Sequence, residues 1–498
     1  MLRLLLSLLL SVVFLVSFSQ TLLYKETFRP QYHFSPPLHW INDPNGLVYY
    51  DGEYHLFYQH NPMGIRWGHM SWGHAISTDL VHWQHLPLAI PEEKCVMIFS
   101  GGCVIDKNNT AGFAEKPGDI PMVAIYTGQT ESINQSQHIA YSNDKGRTWK
   151  KYEKNPVLDL GLKDFRDPQV FWYEPHEKWV MSVVLAVEKK IQFYSSYNLK
   201  EWKLMSSFGP AGDTSGNWEC PDLFEVPING EPGKTKWVLM HSPFPYMQYF
   251  VGDFDGTFFK NENPSDKIFR PDYGPDYYAA ITYKNLPGAI SPVSIGWVNN
   301  WKYAQDIPTI PWRGAMSLPR MLSLKKINSE WLLLQEPVTS IDILRSVPTL
   351  QLNNFIVERT EILPVKSQQF ELISSIEPSA DSTFGIRFFS GSGHEMELGY
   401  DNESRTLYMD RSKTGNNSLN KLFEKLGRYE TNLSLNNNLL QLRIFVDNSI
   451  VEVFANEGQE VLTMLVFPDE MDSGIELFCK NGKAVITKLA FWSLKSSW

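Results

Sequence analysis

Residues 74–83 read His74-Ala75-Ile76-Ser77-Thr78-Asp79-Leu80-Val81-His82-Trp83. An alternating strand runs into a Ser/Thr/Asp turn, and an aromatic residue opens the next strand, which is the pattern of a β-hairpin. The same order returns at 138–149, 193–202 and 249–258, with turn residues Asp144, Asn198 and Asp253 following Asp79 at intervals of 65, 54 and 55 residues. A recurrence on the order of 50 residues, built from short strands, predicts propeller blades. The pattern covers residues 27–335. Residues 336–351, with Pro337, Ile341, Ile343 and Pro348, read as a linker. Residues 352–498 alternate in strand fashion, as in Leu440–Val446 and Ile450–Phe454, with turn clusters at Ser390–Gly393 and Asn456–Gly458. Short strands so spaced predict a β-sandwich. The fold class is therefore all-β, a propeller followed by a C-terminal β-sandwich.

The first 19 residues read as a cleaved signal peptide. Arg3 is the positive start, Leu4 to Val16 is almost wholly apolar, and Ser17-Phe18-Ser19 precedes Gln20. The apolar run is short for a membrane span, so a secreted or periplasmic protein with no membrane span is expected. A net charge of -10 argues against a nucleic-acid partner, which calls for a basic face. Four cysteines do not make a disulfide framework in a chain of 498 residues, although Cys95 and Cys103 can pair across a hairpin. Glycosylation acceptor patterns stand at Asn108, Asn134, Asn402, Asn416 and Asn432. No metal is expected, because no Cys or His cluster has ligand spacing; His69 and His74 read as structural.

Three acidic segments carry the chemistry: Trp40-Ile41-Asn42-Asp43-Pro44-Asn45-Gly46, Phe165-Arg166-Asp167-Pro168 and Trp218-Glu219-Cys220-Pro221-Asp222. Cleaving a glycosidic bond usually needs two carboxylates in different protonation states, and a third can hold the sugar. Asp43, in a loop stiffened by Pro44, suits a nucleophile that stays ionised. Glu219 beside Trp218 suits a general acid, since an apolar setting raises a carboxyl pKa. Asp167, held ionised by Arg166, suits a grip on two adjacent hydroxyls. Near Asp43 in sequence, Tyr58–Pro62, Trp67-Gly68 and Trp72-Gly73-His74 can supply hydroxyl ligands and a ring wall.

Together these segments resemble glycoside hydrolase family 32, the β-fructosidases: invertases, levanases, inulinases and fructan exohydrolases. The likeness extends through Phe99-Ser100-Gly101, Asp272–Ala279, Trp301, Trp312–Arg320 and Val451–Asn456, nearly all of the mature chain. Ile41 stands where the family's first motif has methionine. The resemblance implies a five-bladed propeller, Asp43 as nucleophile, Glu219 as acid/base and Asp167 as transition-state stabiliser. Asn42, Gln59, Trp67, Phe99, Ser100, Arg166 and Trp301 are the implied sugar-binding residues, and no cofactor is implied. Sucrose and fructans such as levan and inulin are the expected substrates. The rivals are a sucrose-specific invertase, a fructosyltransferase in which a sugar hydroxyl outcompetes water, and a fructan-binding protein without turnover.

Overall fold

The computed structural model describes residues 24–130, 134–288, 291–415 and 420–498. The segment read as a signal peptide and Asn416 lie outside the described residues. Five sheets of four or five strands form the blades of a propeller. Their innermost strands are His39–Tyr50, Met97–Ile105, Phe165–Tyr173, Trp218–Pro227 and Tyr278–Thr282. Each lies against the next, and the fifth lies against the first. Two contacts close the ring. Trp312–Arg313 pairs in parallel with His39–Trp40, and Lys284 exchanges backbone hydrogen bonds with Leu47 and Tyr49.

The repeated turns have one physical cause. Asp79 Oδ1 accepts the Val81 and His82 amides at 2.8 Å, while Ser77 Oγ accepts that of Leu80. Asp144 with Ser142, and Asn198 with Ser196, hold their turns in the same way. Such Asx caps satisfy amides that the hairpin leaves unpaired. In the fourth copy the assignment of Asp253 is corrected. Asp253 belongs to the strand Gln248–Phe254, and Asp255 caps the turn by accepting the Thr257 and Phe258 amides at 2.8 Å. The fourth turn is offset from the first three by two residues.

After the fifth blade a short 3-10 turn, Thr339–Leu344, leads to two stacked six-stranded sheets. Their inner faces bury a continuous apolar core that includes Phe370, Phe388, Leu398 and Ile444. Buried ion pairs fix this sandwich against the propeller. Arg320 donates to Asp272 at 3.0 Å and to Glu452 at 2.7 Å, and Arg411 donates to Asp276 at 2.8 Å. All five side chains are buried. Removing one partner of such a pair strands a buried charge. Cys95 is exposed, Cys103 is buried, and no disulfide joins them. Among the described residues no helix is long and apolar enough to cross a membrane.

Candidate active site

The acidic segments were expected in loops. They lie instead within innermost strands, at one-residue β-bulges. Between Ile41 and Pro44, two residues oppose the single Gln59 of the neighbouring strand. The same two-against-one step recurs between Ile98 and Gly101, Arg166 and Gln169, Glu219 and Asp222, and Tyr278 and Ile281. Every inner strand thus kinks near its start, at the same end of the propeller. A bulge frees one residue from the ladder and re-aims side chains. Proline after Asp43, Asp167 and Cys220 fits, because a bulge tolerates the missing N–H. Asp167 (φ 63°), Cys220 (φ 48°) and Ala279 (φ 53°) hold left-handed backbone there, a strain that functional sites commonly store.

The kinks line one cavity of about 430 Å³. The ten residues that the family resemblance implies all border it: Asp43, Asp167, Glu219, Asn42, Gln59, Trp67, Phe99, Ser100, Arg166 and Trp301. Asp43 accepts from the Ser100 hydroxyl at 2.6 Å and from Asn42 Nδ2 at 3.0 Å; Asn42 is itself oriented by Trp40 Nε1 at 2.7 Å. Asp167 Oδ2 accepts the Cys220 amide at 3.0 Å, while the Asp167 amide donates to Thr127 Oγ1 at 2.9 Å. The Cys220 thiol lies 3.6 Å from Asp43 and 3.7 Å from Asp167. Glu219 accepts from Arg166 Nη2 at 3.0 Å and from the Tyr278 hydroxyl at 2.5 Å. Gln59 is buried, and among the described residues its Nε2 has no partner. That leaves a donor for a ligand hydroxyl. Trp67 and Phe99 meet edge to face at 6.0 Å, and Trp301 packs on Trp297 at 4.9 Å. The floor is core: Trp40, Tyr278 and Trp297 are almost fully buried.

The electrostatics differ from the expectation at all three acids: Glu219 was expected in an apolar setting, and Asp43 and Asp167 were expected to stay ionised. The setting of Glu219 is polar, with Arg166 and Tyr278 on its two oxygens and its side chain 24% exposed. Trp218 faces the other way, into the core against His241, because neighbours on a strand point to opposite sides. Burial acts on the other two acids. It pushes Asp43 above the ordinary aspartate range, with Ser100 pulling it back and Glu219 adding to the rise. It carries Asp167 from 3.8 to about 7, against the pull of Arg166 and with the help of Glu219 and Asp43. Arg166 stays charged despite burial because Glu219, Asp167 and Asp164 surround it. Burial and the neighbouring acids thus favour the protonated form of Asp43 and Asp167 in spite of Arg166.

A stability test follows. A carboxyl raised in the folded state stabilises the fold at low pH, and that contribution is lost as pH rises from 3.8 to about 7. Asp167→Asn, which is neutral throughout, is therefore expected to be more stable than the unmodified protein at pH 8, by on the order of 1–4 kcal/mol. Near pH 4 the advantage should vanish. Thermal melts across this range check the sign; an Asn variant less stable at pH 8 than at pH 4, relative to the parent, contradicts it.

Other expectations near Asp43 are corrected. Trp72 is core, and His74 stacks on Phe57 and bonds His55 at 3.0 Å, so neither reaches the cavity. His69, which was read as structural, pairs with Glu92 at 2.9 Å. Asp222 points away from the cavity and binds Lys284 Nζ at 2.6 Å and the Thr282 amide at 2.7 Å. Gln129, Gln135, Lys163, Asp164 and Phe244 also line the cavity and had not been singled out. They carry no motif of their own. Tyr278 had been noted only as part of the Asp272–Ala279 segment.

A propeller whose inner strands kink three carboxylates and an arginine into an aromatic-walled cavity is the scaffold of a glycoside hydrolase. The chain belongs to glycosyl hydrolases family 32: the family's N-terminal domain matches residues 33–337 and its C-terminal domain residues 339–493. It is thus a β-fructosidase in class. It is 46% identical to a levanase of Bacillus subtilis over 99% of this chain and 74% of that one. The crystal structure of exo-inulinase from Aspergillus awamori matches with a TM-score of 0.91 at 36% identity, covering 95% of this chain and 100% of that one. The β-fructofuranosidase from Schwanniomyces occidentalis, complexed with fructosyl-erythritol, matches with a TM-score of 0.86 at 32% identity, covering 95% of this chain and 98% of that one.

Proposed function

We propose that this protein is a secreted, retaining exo-β-fructosidase that releases terminal β-D-fructofuranosyl units from fructans and from sucrose. The observation that carries the reading is the meeting of Asp43, Asp167 and Glu219, from three inner strands, in one floored cavity. Asp43 attacks the anomeric carbon while Glu219 protonates the departing oxygen. The proton is delivered from the Glu219 carboxyl. Once it is delivered, Arg166 and Tyr278 stabilise the new carboxylate. Glu219 then takes a proton from water, which cleaves the fructosyl-Asp43 ester and restores both residues. Asp167 grips ring hydroxyls and holds them more tightly as charge develops. Asn42, Gln59 and Arg166 hold further hydroxyls, while Trp67, Phe99 and Trp301 wall the ring.

Exo-attack is supported by the likeness to the exo-inulinase of Aspergillus awamori. Identity to a levanase supports fructans over sucrose alone. Secretion rests on the apolar N-terminal segment. The domain limits of this reading are 27–335 for the catalytic propeller and 352–498 for the sandwich. The test is a panel of sucrose, inulin and levan, with products followed over time. Early free fructose from all three supports the reading. Activity on sucrose alone points to an invertase, and oligosaccharides that lengthen at high sucrose point to a transferase.

A further inference from the structure

We propose that the propeller mouth opposite the catalytic cavity is a second, non-catalytic binding site for fructan chains. The proposal rests on the fructan-degrading reading above and adds a place where the polymer is held. The inner strands that begin at the catalytic residues end at this mouth. Asp167 and Trp172, five residues apart on one strand, border opposite openings roughly 16 Å apart by strand rise.

The second mouth encloses about 490 Å³. A smaller hollow of about 250 Å³ adjoins it, sharing Phe171, Lys284 and Asn285. Its walls repeat the chemistry of the catalytic cavity, aromatic rings among carboxylate, amide and ammonium groups. Trp172 is half-buried and meets Trp179 edge to face at 5.0 Å. Each ring is fixed by its N–H: Trp172 donates to Glu174 at 2.6 Å and Trp179 to Thr110 at 2.9 Å. Lys284 is anchored by Asp222 at 2.6 Å. These groups are positioned before any ligand arrives, which lowers the ordering cost of binding. The charged lining residues are Asp106 and Glu174 against Lys107 and Lys284, a balance that favours an uncharged ligand over an anion. A neutral molecule with apolar faces and many hydroxyls fits such walls. In a polymer-degrading enzyme, a chain held here raises the local concentration of chain ends at the catalytic mouth.

The experiment uses the full chain made in a host without N-glycosylation, so that the Asn108 acceptor pattern stays unmodified. Asp43→Asn protein is run in native gels containing levan, alone and combined with Trp172→Ala or with the pair Lys107→Ala and Asn108→Ala. Lys107 and Asn108 are exposed, so that pair tests the site without disturbing the core. Retardation by levan is expected to weaken at least about threefold in both combinations. With Asp43 intact, the same changes should raise KM for levan about fivefold, leaving kcat and all sucrose kinetics unchanged. Undiminished retardation in both combinations overturns the proposal, as does an equal loss on sucrose and levan. If the unmodified protein releases no fructose from levan, it is the catalytic reading that fails. Degradation of levan with unaltered retardation removes the second site alone.

Discussion

Asp43→Asn is expected to fold as the parent does and to lose at least about 10⁴-fold in kcat on sucrose and on levan. The amide has the carboxylate's shape, and its oxygen can still accept the Ser100 hydroxyl that holds Asp43 at 2.6 Å. It cannot form the ester through which a retaining mechanism passes. Because burial pushes Asp43 above its ordinary range, the uncharged amide also places no new burden on the fold. Steady-state kinetics alongside thermal melts check both halves. A folded Asp43→Asn protein with substantial activity removes Asp43 from the nucleophile's role.

Glu219→Ala is expected to separate substrates by leaving group. On sucrose, whose departing sugar needs a proton, activity should fall by about 10³-fold or more. On β-fructosyl fluoride, whose leaving group needs none, the first step should slow less than about tenfold. The fructosyl-enzyme then accumulates, because Glu219 no longer takes the proton from water. Azide should relieve that block by attacking directly, giving a fructosyl azide and restoring turnover on the fluoride. Equal slowing on both substrates, with no azide effect, assigns Glu219 to another role.

Much of the architecture was legible because local chemistry repeats. The Ser-x-Asp and Ser-x-Asn turns of the first three blades satisfy their own amides, so sequence alone reports them. The fifth blade left no such mark. Its last hairpin turns at Asn328-Ser329, both with positive φ, and uses no side-chain cap of that kind. Its count came from family resemblance and not from periodicity. The sandwich showed itself through alternation, since one face of each strand is core.

At the site, the acids could be read from their motifs, but their neighbours could not. A bulge is a relation between two strands, so nothing in Asp43-Pro44 states that Gln59 alone will face the step. The bond from Tyr278 to Glu219 spans 59 residues of sequence. The expectation of an apolar Glu219 took Trp218 for a spatial neighbour, whereas strand alternation sends the two side chains apart. Asp222, further along the same strand, is taken up by Lys284 and Thr282 and not by the cavity, although it shares a motif with Glu219.

The most direct test of the whole account is an NMR time course of levan digestion from the first minutes. Exo-attack with retention predicts free fructose as the first product, appearing as the β-furanose anomer before mutarotation spreads the signal. A ladder of oligosaccharides ahead of fructose, or first-formed fructose of the α configuration, contradicts it.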